Sequence, residues 1–261
     1  MHPEVEKRVA LVTGSGRHRV GNIVAQHLAK SGYSIALHYH SSEEAARSTL
    51  QELRGVGVDC EAYRANVAVE SDVDRMFEDL LARFGRLDVL VTTASVWSTV
   101  PLEEMRADDL WRDFNINTLG TFFSARLAGL AMCRQKEGGV IITIGDWAIE
   151  RPYLNHSSYL ISKGAIPTLT KTLAVEFATR NPKVRVNCIH PGPVMFPPDS
   201  SEDDRKEMVE STLTKNPNCP ESISQAVDFF IANQFVTGVC LPIDGGRTIF
   251  SPDSVSRERP I

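Results

Sequence analysis

The sequence is short of positive charge and has no long apolar run. Its 261 residues include 28 Lys and Arg against 33 Asp and Glu, which gives a net charge of −5. Without a basic excess a chain has little with which to neutralise nucleic-acid phosphates, so we expect no nucleic-acid partner. No apolar stretch approaches the roughly 18 residues of a membrane-spanning helix. The charged segment 1–7 leaves no room for the apolar core of a signal peptide. We therefore predict a cytoplasmic protein with no membrane partner.

Cysteine is also scarce, and its distribution predicts free thiols. The five cysteines are Cys60, Cys133, Cys188, Cys219 and Cys240. They are odd in number and far apart, with no pair at a metal-ligand or redox spacing. We expect buried thiols in a reducing compartment. His38 and His40 share one face of a predicted strand, but no third ligand accompanies them, so we predict no metal site.

Short runs rich in Val and Ile alternate with helical stretches along almost the whole chain. Parallel strands need crossover helices, so this alternation predicts a parallel sheet covered on both faces. The predicted strands are 9–12, 34–39, 58–65, 87–92, 140–144, 183–189 and 239–243. The predicted helices are 23–30, 43–54, 71–84, 108–135, 158–179 and 221–232. We predict an α/β, doubly wound Rossmann fold of three layers with a seven-stranded parallel sheet, in a single domain over residues 1–261.

The only long irregular stretch is segment 191–218. It begins with several prolines and continues with a charged piece that is predicted to be helical. Its length and its position after the sixth strand favour a lid over a ligand site. The alternative is a plain surface excursion. Residues 251–261 are predicted to form a C-terminal tail.

A glycine-rich turn follows the first predicted strand and opens the first helix. Segment 13–21 contains three glycines, Gly14, Gly16 and Gly21. Glycine lets the backbone approach a pyrophosphate, and the free N–H groups at a helix start favour its negative charge. In the first βαβ unit, this pattern predicts a dinucleotide-binding turn. The alternative is that the glycines serve only the turn.

The end of the second strand indicates which dinucleotide is bound. Segment 38–42 carries no carboxylate, although a carboxylate there would bind the ribose hydroxyls of NAD and repel a 2′-phosphate. Arg17, His18 and Arg19 lie on the neighbouring turn and offer cations to a phosphate. We therefore predict NADP(H) as the cofactor. The alternative is that these three basic residues only decorate a solvated loop.

Tyr159 and Lys163 stand four residues apart at the start of a predicted helix, so both side chains project from one face. A phenol with a reference pKa of about 10 is a weak acid–base catalyst at neutral pH. A nearby cation stabilises the phenolate, and we expect Lys163 to lower the pKa of Tyr159 toward neutral. The pair predicts proton transfer by Tyr159.

With these motifs the chain resembles the short-chain dehydrogenase/reductase family over nearly its whole length. The motifs that carry the resemblance are the glycine turn, Asn117 to Gly120, Tyr159 with Lys163, Pro191-Gly192, and Gly238-Val239 with Asp244 to Gly246. The resemblance implies that Tyr159 exchanges a proton with the substrate and that Lys163 binds the nicotinamide ribose. It also implies that Asn117 holds a water of the proton relay, although this asparagine could instead only cap or bend its helix.

The turn, the strand ends and the resemblance together give a set of expected cofactor contacts. They are Gly14, Arg17, His18, Arg19, Val20, His38, Tyr39, His40, Ser41, Asn66, Val67, Ala94, Ser95, Tyr159, Lys163, Pro191, Gly192 and Val194. The resemblance further implies a small-molecule substrate and a homotetramer built on the helix that carries Tyr159. Three departures affect cofactor details: the glycine turn is one residue longer than usual, Thr92-Thr93 replaces a pair of asparagines, and Asn66 replaces an aspartate.

One further departure narrows the expected substrate. Thirteen residues before Tyr159, where the family usually has a serine, stands Asp146. An ionised aspartate accepts hydrogen bonds and cannot donate one, so the substrate should offer donors or take up a proton. Asp146, Trp97 and the pair Ala94-Ser95 resemble the pteridine reductases and dihydromonapterin or dihydrofolate reductases of this family, in which an aromatic ring and the nicotinamide sandwich the pterin. We therefore expect Ser95, Trp97, Asp146 and Tyr159 to contact a pterin-like substrate, with Trp97 stacking on it.

Two other functions stay open. A general carbonyl or 3-oxoacyl reductase would use the same Tyr159, although the missing serine removes the usual donor to a carbonyl oxygen. A non-catalytic NADP(H)-binding regulator would account for the altered turn, although Tyr159, Lys163 and Asn117 favour an enzyme. For the substrate residues, the alternatives are that Trp97 fills the core and that Asp146 is a turn residue.

Overall fold

Seven strands form one parallel sheet. The computed structural model describes residues 7–251. The strands are β1 (Val9–Thr13), β2 (Ser34–Tyr39), β3 (Cys60–Arg64), β4 (Val89–Thr92), β5 (Gly139–Ile144), β6 (Val184–Pro191) and β7 (Cys240–Ile243). Their spatial order is β3-β2-β1-β4-β5-β6-β7, and each neighbouring pair is parallel. The chain winds from β1 to one edge and from β4 to the other, so the predicted doubly wound, seven-stranded Rossmann fold is confirmed.

Helices cover both faces of this sheet. They are α1 (Val20–Lys30), α2 (Glu43–Gly55), α3 (Glu70–Phe84), α4 (Ala107–Asp113), α5 (Gly120–Cys133), α6 (Ser157–Gly164), α7 (Ile166–Ala178), α8 (Glu202–Glu210) and α9 (Glu221–Ala232). A π-helical turn, Phe114–Leu119, joins α4 to α5, and a 3₁₀ turn, Trp147–Ile149, follows β5. Within residues 7–251, every helix is too short or too polar to cross a bilayer.

Apolar side chains form one core layer on each face of the sheet. One layer contains the fully buried Leu28 of α1 and Phe230 of α9. The other contains Leu80 of α3 and Met132 of α5, both also fully buried. Because both faces are covered, the inner strands are mostly apolar along their length rather than alternating, and all five residues of β1 are buried. The sheet is therefore a rigid support for the loops at its edges.

Two helices that the periodicity predicts as continuous are interrupted in the structure. The helix predicted over 108–135 is broken by the π-helical turn, which inserts an extra residue and contains Asn117. The helix predicted over 158–179 divides into α6 and α7. Pro167 lacks the N–H that a helix interior requires, and it is accommodated in the first turn of α7. A periodic pattern averages over such single-residue irregularities and does not reveal them.

Segment 191–218 contains the expected helix, which is α8, and its two ends are tied together. The backbone N–H of Asn218 donates to the carbonyl of Pro193 at 2.9 Å. The side chain of Asn218 returns the contact, because its Oδ1 accepts from the N–H of Phe196 at 3.1 Å. The segment is thus a loop whose two ends are hydrogen-bonded to each other. The expected C-terminal tail lies, from residue 252 onward, outside the described residues.

Candidate active site

The residues expected at the site meet at the C-terminal edge of the sheet, where the strand order reverses between β1 and β4. In doubly wound folds this reversal leaves a crevice in which ligands bind. β1 runs into the glycine turn, β4 into Thr93 and Ala94, and β5 toward Asp146. The first two loops are joined directly: the N–H of Ala94 donates to Thr13 Oγ1 at 3.1 Å, and the Thr93 hydroxyl donates to the Thr13 carbonyl. Segments that are distant in sequence are therefore adjacent here.

Close backbone packing requires glycine at two positions of the turn. Gly14 has a φ of 69°, and a Cβ built there would lie 2.8 Å from the Cα of Ala94. A Cβ on Gly16 would lie 2.7 Å from the Cβ of Tyr39. Any side chain would push the turn away from β4 or β2 and close the cradle that a pyrophosphate needs.

His38 is hydrogen-bonded to this turn, and its imidazole is neutral at neutral pH. It is 2% exposed; its Nδ1 accepts from the N–H of Gly14 at 2.9 Å, and its Nε2 lies 3.1 Å from the carbonyl of Ala65. Nε2 therefore carries the ring hydrogen and donates it. Burial lowers the pKa of His38 from 6.5 to about 4. Both ring nitrogens are thus used within the protein, and a contact between His38 and the cofactor stays a prediction.

Two buried polar side chains that no sequence motif singled out brace the same turn. Ser15 Oγ donates to the carbonyl of Val12 at 2.7 Å, and the Ser15 N–H donates to the carbonyl of His38 at 3.0 Å. Asn22 Nδ2 donates to the carbonyl of Ser15 at 3.2 Å and to Thr49 Oγ1 at 2.9 Å. These hydrogen bonds hold the backbone around Ser15, in the first half of the glycine turn (segment 13–21), in one conformation.

The outer half of the turn is cationic and exposed. Its exposed basic residues are Arg17, His18 and Arg19. The adjacent end of β2, from Tyr39 to Ser42, has no acidic side chain, and His40 and Ser41 are exposed. Arg64 adds another guanidinium, because its Nε donates to the carbonyl of His40 at 3.2 Å. Arg64 was not expected at the site, since its pairing with Tyr39 follows from the sheet register alone.

The remaining expected cofactor positions lie along the same edge. They are Val20 at the start of α1, Asn66 and Val67 after β3, and Pro191, Gly192 and Val194 at the end of β6. Asn66 Oδ1 accepts from the N–H of Ala68 at 3.1 Å, which shapes the loop after β3. Val67 is buried, and a Cβ on Gly120 would lie 2.8 Å from its Cγ2. The side chains of Asn66 and Val67 therefore contribute to the packing of the loop after β3, at the edge of the crevice.

Tyr159 of α6 donates its hydroxyl hydrogen to Asp146 Oδ2 at 2.5 Å. The ring is 6% exposed. Burial, and then the charge and hydrogen bond of Asp146, raise the pKa of Tyr159 well above its usual range. The expectation that Lys163 lowers this pKa was wrong, because an anion contacts the phenol and burial penalises the phenolate. At neutral pH Tyr159 is therefore a neutral phenol with a hydrogen to give.

Lys163 has the free donors that a dinucleotide requires. Lys163 is 4% exposed, and its ammonium donates to the carbonyl of Ile144 at 2.9 Å. Burial lowers the pKa of Lys163, and the charge of Asp146 opposes that shift. Within residues 7–251, Ile144 is its one hydrogen-bond partner, so two of its three N–H groups are available to a ligand. With the glycine cradle, these donors fit the ribose and pyrophosphate of a nicotinamide dinucleotide.

Asn117 connects the loop after β4 to α6. Its Oδ1 accepts from the N–H of Val96 at 2.9 Å and from Ser95 Oγ at 2.8 Å. Its Nδ2 donates to the carbonyl of Val96 at 3.1 Å and to Ser162 Oγ at 2.9 Å. The side chain is buried and fully hydrogen-bonded. The structure thus shows a cross-link that aligns α6, on which Tyr159 lies, with the loop that contains Ser95.

Aromatic rings surround the mouth of the site; we call Trp97, Trp147, Tyr153 and His156 the aromatic cluster. Trp97 is 59% exposed, so it does not fill the core. Its ring stacks on His156 at 4.8 Å, and its Nε1 donates to the Tyr153 hydroxyl at 3.1 Å. Tyr153 in turn stacks on Trp147 at 6.2 Å, with the Arg247 guanidinium 4.3 Å from the Trp147 ring centre. Only Trp97 was expected here, because a cluster drawn from several loops leaves no periodic signal.

Asp146 has a separate role for each carboxylate oxygen. Oδ1 accepts from the N–H of Ala148 at 2.8 Å and caps the 3₁₀ turn, whereas Oδ2 receives the Tyr159 hydroxyl. The interpretation of Asp146 as a turn residue therefore describes one oxygen only. The turn keeps the other oxygen aimed at Tyr159.

Comparisons with known proteins agree with the fold described above. A family model described as enoyl-(acyl carrier protein) reductase matches residues 16–248. A short-chain dehydrogenase/reductase of Pestalotiopsis microspora is 33% identical over 264 residues, covering 93% of this chain and 96% of that protein. Tetrahydroxynaphthalene reductase of Pyricularia oryzae is 30% identical over 260 residues, covering 93% and 90%. The crystal structure of acetoin dehydrogenase from Enterobacter cloacae matches with a TM-score of 0.85 and 30% identity, covering 95% of this chain and 98% of that one. Neither the family model nor the names of these three proteins mention a pterin.

Proposed function

Because this chain belongs to the short-chain dehydrogenase/reductase family, a family of oxidoreductases that use a nicotinamide cofactor, we propose that it is an NADPH-dependent reductase of a flat, dihydropterin-like ring. The observation that carries the proposal is the 2.5 Å hydrogen bond from Tyr159 to Asp146 beside the aromatic cluster. A simple ketone oxygen only accepts hydrogen bonds, and Asp146 offers it none. A pterin ring presents N–H groups that an ionised carboxylate can bind.

Each residue of the site then has a defined role in the reaction. The bound cofactor supplies a hydride to a ring carbon. Tyr159 gives its proton to the adjacent ring nitrogen, so the C=N bond becomes a C–N single bond with one hydrogen on each atom. Asp146 accepts from ring N–H groups and holds the phenol in place. Lys163 binds the ribose hydroxyls through its two free N–H groups, and Trp97 stacks on the substrate.

The choice of NADPH over NADH rests on the exposed cations of the glycine turn and on Arg64. A charge-assisted hydrogen bond to a phosphate contributes roughly 1.5–3 kcal/mol, so Arg17→Ala or Arg64→Ala should weaken NADPH binding by about tenfold or more. NADH binding should not change, because NADH lacks the 2′-phosphate. Fluorescence titration of both cofactors measures this, and equal affinities of the wild-type protein for the two would refute the preference.

Turnover with purified protein tests the substrate class. Loss of NADPH absorbance is followed with dihydrobiopterin and with dihydromonapterin. Trp97→Ala should raise KM by about tenfold, since ring stacking contributes roughly 0.5–1.5 kcal/mol beyond burial. Trp111→Ala is the matched control, because Trp111 is equally exposed, at 61%, but lies on α4. If neither pterin oxidises NADPH above background, the pterin assignment fails.

A second candidate is the reduction of a polyhydroxylated aromatic ketone. The 30% identical relative named tetrahydroxynaphthalene reductase favours it, and phenolic O–H groups would also suit the Asp146 carboxylate. A hydroxynaphthalene assayed beside the pterins separates the two candidates. Turnover of a 3-oxoacyl thioester that survives Asp146→Ala would instead favour a general carbonyl reductase.

The proposal extends to segment 191–218 as the lid of this site and to a homotetramer. Ile161 on α6 and Val175 on α7 are 59% and 67% exposed, which leaves apolar side chains for a partner subunit on the helix that carries Tyr159 and on the helix after it. Light scattering measures the assembly, and Val175→Glu should shift it to smaller species.

A further inference from the structure

Three metal-ligating side chains converge on one face of the sheet, outside the residues assigned to catalysis. Cys188 and His190 stand two apart on β6 and therefore share a face. Cys240 of β7 is the direct cross-strand partner of Cys188. One ligand atom of each residue lies within 4.8 Å of the other two. No sequence spacing predicted this cluster, because β6 and β7 are far apart along the chain and meet only in the sheet.

The imidazole of His190 has a buried nitrogen without a partner. His190 is 6% exposed, and within residues 7–251 its Nε2 makes no hydrogen bond. Leaving a buried polar atom unpaired costs about 1–3 kcal/mol. Gly145 keeps the adjacent space free, since a Cβ there would lie 2.8 Å from His190 Nε2 and 3.2 Å from Cys188 Sγ. The unpaired nitrogen and a thiol thus border the same small space.

We propose that Cys188, His190 and Cys240 bind a zinc ion, with solvent as the fourth ligand beside the half-buried Cys240. Two thiolates and one imidazole are the soft and borderline donors that this ion prefers. Sulfur at about 2.3 Å and nitrogen at about 2.0 Å from a tetrahedral ion lie roughly 3.5–3.8 Å from each other. Because the three ligand atoms lie within 4.8 Å of one another, each separation needs to shorten by at most about 1.3 Å to reach these values. Cys240 can make such a shift, because β7 is the edge strand of the sheet.

The ion would lie next to the loop that contains Asp146. Gly145 precedes Asp146, and its N–H donates to the carbonyl of Ile189, the residue between the two ligands of β6, at 2.9 Å. The zinc site would thus fix the end of β5 that leads to Asp146. Binding of the ion does not depend on the proposed reductase function, and it is measured without substrate or cofactor.

Cobalt(II) is the probe, because tetrahedral cobalt bound by thiolates gives intense charge-transfer and visible absorption. The reduced, full-length protein is titrated with cobalt and then with zinc, and we expect one equivalent of cobalt to bind and zinc to displace it. Loss of a hydrogen bond that merely supports a ligand already costs roughly 10–100-fold in metal affinity. Cys240→Ser and His190→Ala should lose at least that much, whereas Cys219→Ser, the half-buried cysteine outside the cluster, should bind like the wild-type protein.

Two results would overturn the assignment. One is a reduced wild-type protein that shows no thiolate–cobalt absorption at one equivalent, whether or not thiol titration finds a disulfide before reduction. The other is a Cys240→Ser variant that binds cobalt as tightly as the wild-type protein. Should the buried His190→Ala variant fail to fold, Cys240→Ser still decides, since the Cys240 side chain is half-buried on an edge strand; circular dichroism checks the fold of Cys240→Ser.

Discussion

Mild acid is expected to destabilise the protein through His38. The unfolded chain takes up a proton near the reference pKa of 6.5, whereas burial lowers the pKa of folded His38 to about 4. Between these values the unfolded state binds more protons, so stability is full above pH 6.5 and falls as the pH drops toward 4. At about 1.36 kcal/mol per pKa unit, the whole loss is about 3 kcal/mol, of which about 2 kcal/mol occurs by pH 5.

Urea unfolding at pH 7.5 and at pH 5 measures this loss. His38→Gln removes the titration, and His18→Gln is the control because His18 is exposed on the neighbouring turn. The His38→Gln protein should be less stable at pH 7.5, since its bonds to Gly14 and Ala65 are altered. Between the two pH values it should lose about 2 kcal/mol less than the wild-type protein and the control do. Parallel losses in all three proteins would refute a buried, neutral His38.

Three further substitutions test the packing and electrostatics of the site. Gly14→Ala should destabilise by at least about 2 kcal/mol in thermal unfolding, because it combines a positive φ with a backbone clash; Gly32→Ala, with a φ of 86° and nothing within 4 Å of its Cβ, should cost only about 1 kcal/mol. Asn117→Ala should cost about 2–3 kcal/mol in urea unfolding and lower kcat, since buried backbone groups lose their partners; unchanged stability would contradict the cross-link. Asp146→Ser should lower the pKa of Tyr159, because the charge and the hydrogen bond of Asp146 both raise it. The phenolate absorbance of Tyr159 is obtained as the difference between each protein and its Tyr159→Phe counterpart, and it should appear at lower pH in Asp146→Ser than in the wild-type protein.

Local patterns in the sequence were sufficient to predict the fold. Strand β2 has the predicted bounds of 34–39, and the Val- and Ile-rich runs are clearest in the five inner strands because these are buried on both faces. The placement of Tyr159 beside Asp146 also follows from the order of elements, since α6 packs against the 3₁₀ turn that follows β5. Charge states were harder to predict. Whether His38 is a cation or Tyr159 has a low pKa depends on burial and on contacts that the sequence does not display.

The sites built across strands and loops had no signal in the sequence. Arg64 comes next to His40 through sheet register, and Tyr153 reaches Trp97 through two loops without periodicity. Cys188 and Cys240 look unrelated until β6 pairs with β7. Such neighbours are determined by topology, which a local motif does not encode.

Proton donation by Tyr159 is tested most directly by single-turnover hydride transfer from NADPH to a dihydropterin in the wild-type and Tyr159→Phe proteins. General-acid catalysis contributes roughly 10²–10⁴-fold, so the variant, saturated with NADPH, should transfer hydride at least about 100-fold more slowly. A variant that reduces the substrate as fast as the wild-type protein would contradict the role assigned to Tyr159 and, with it, the pairing with Asp146.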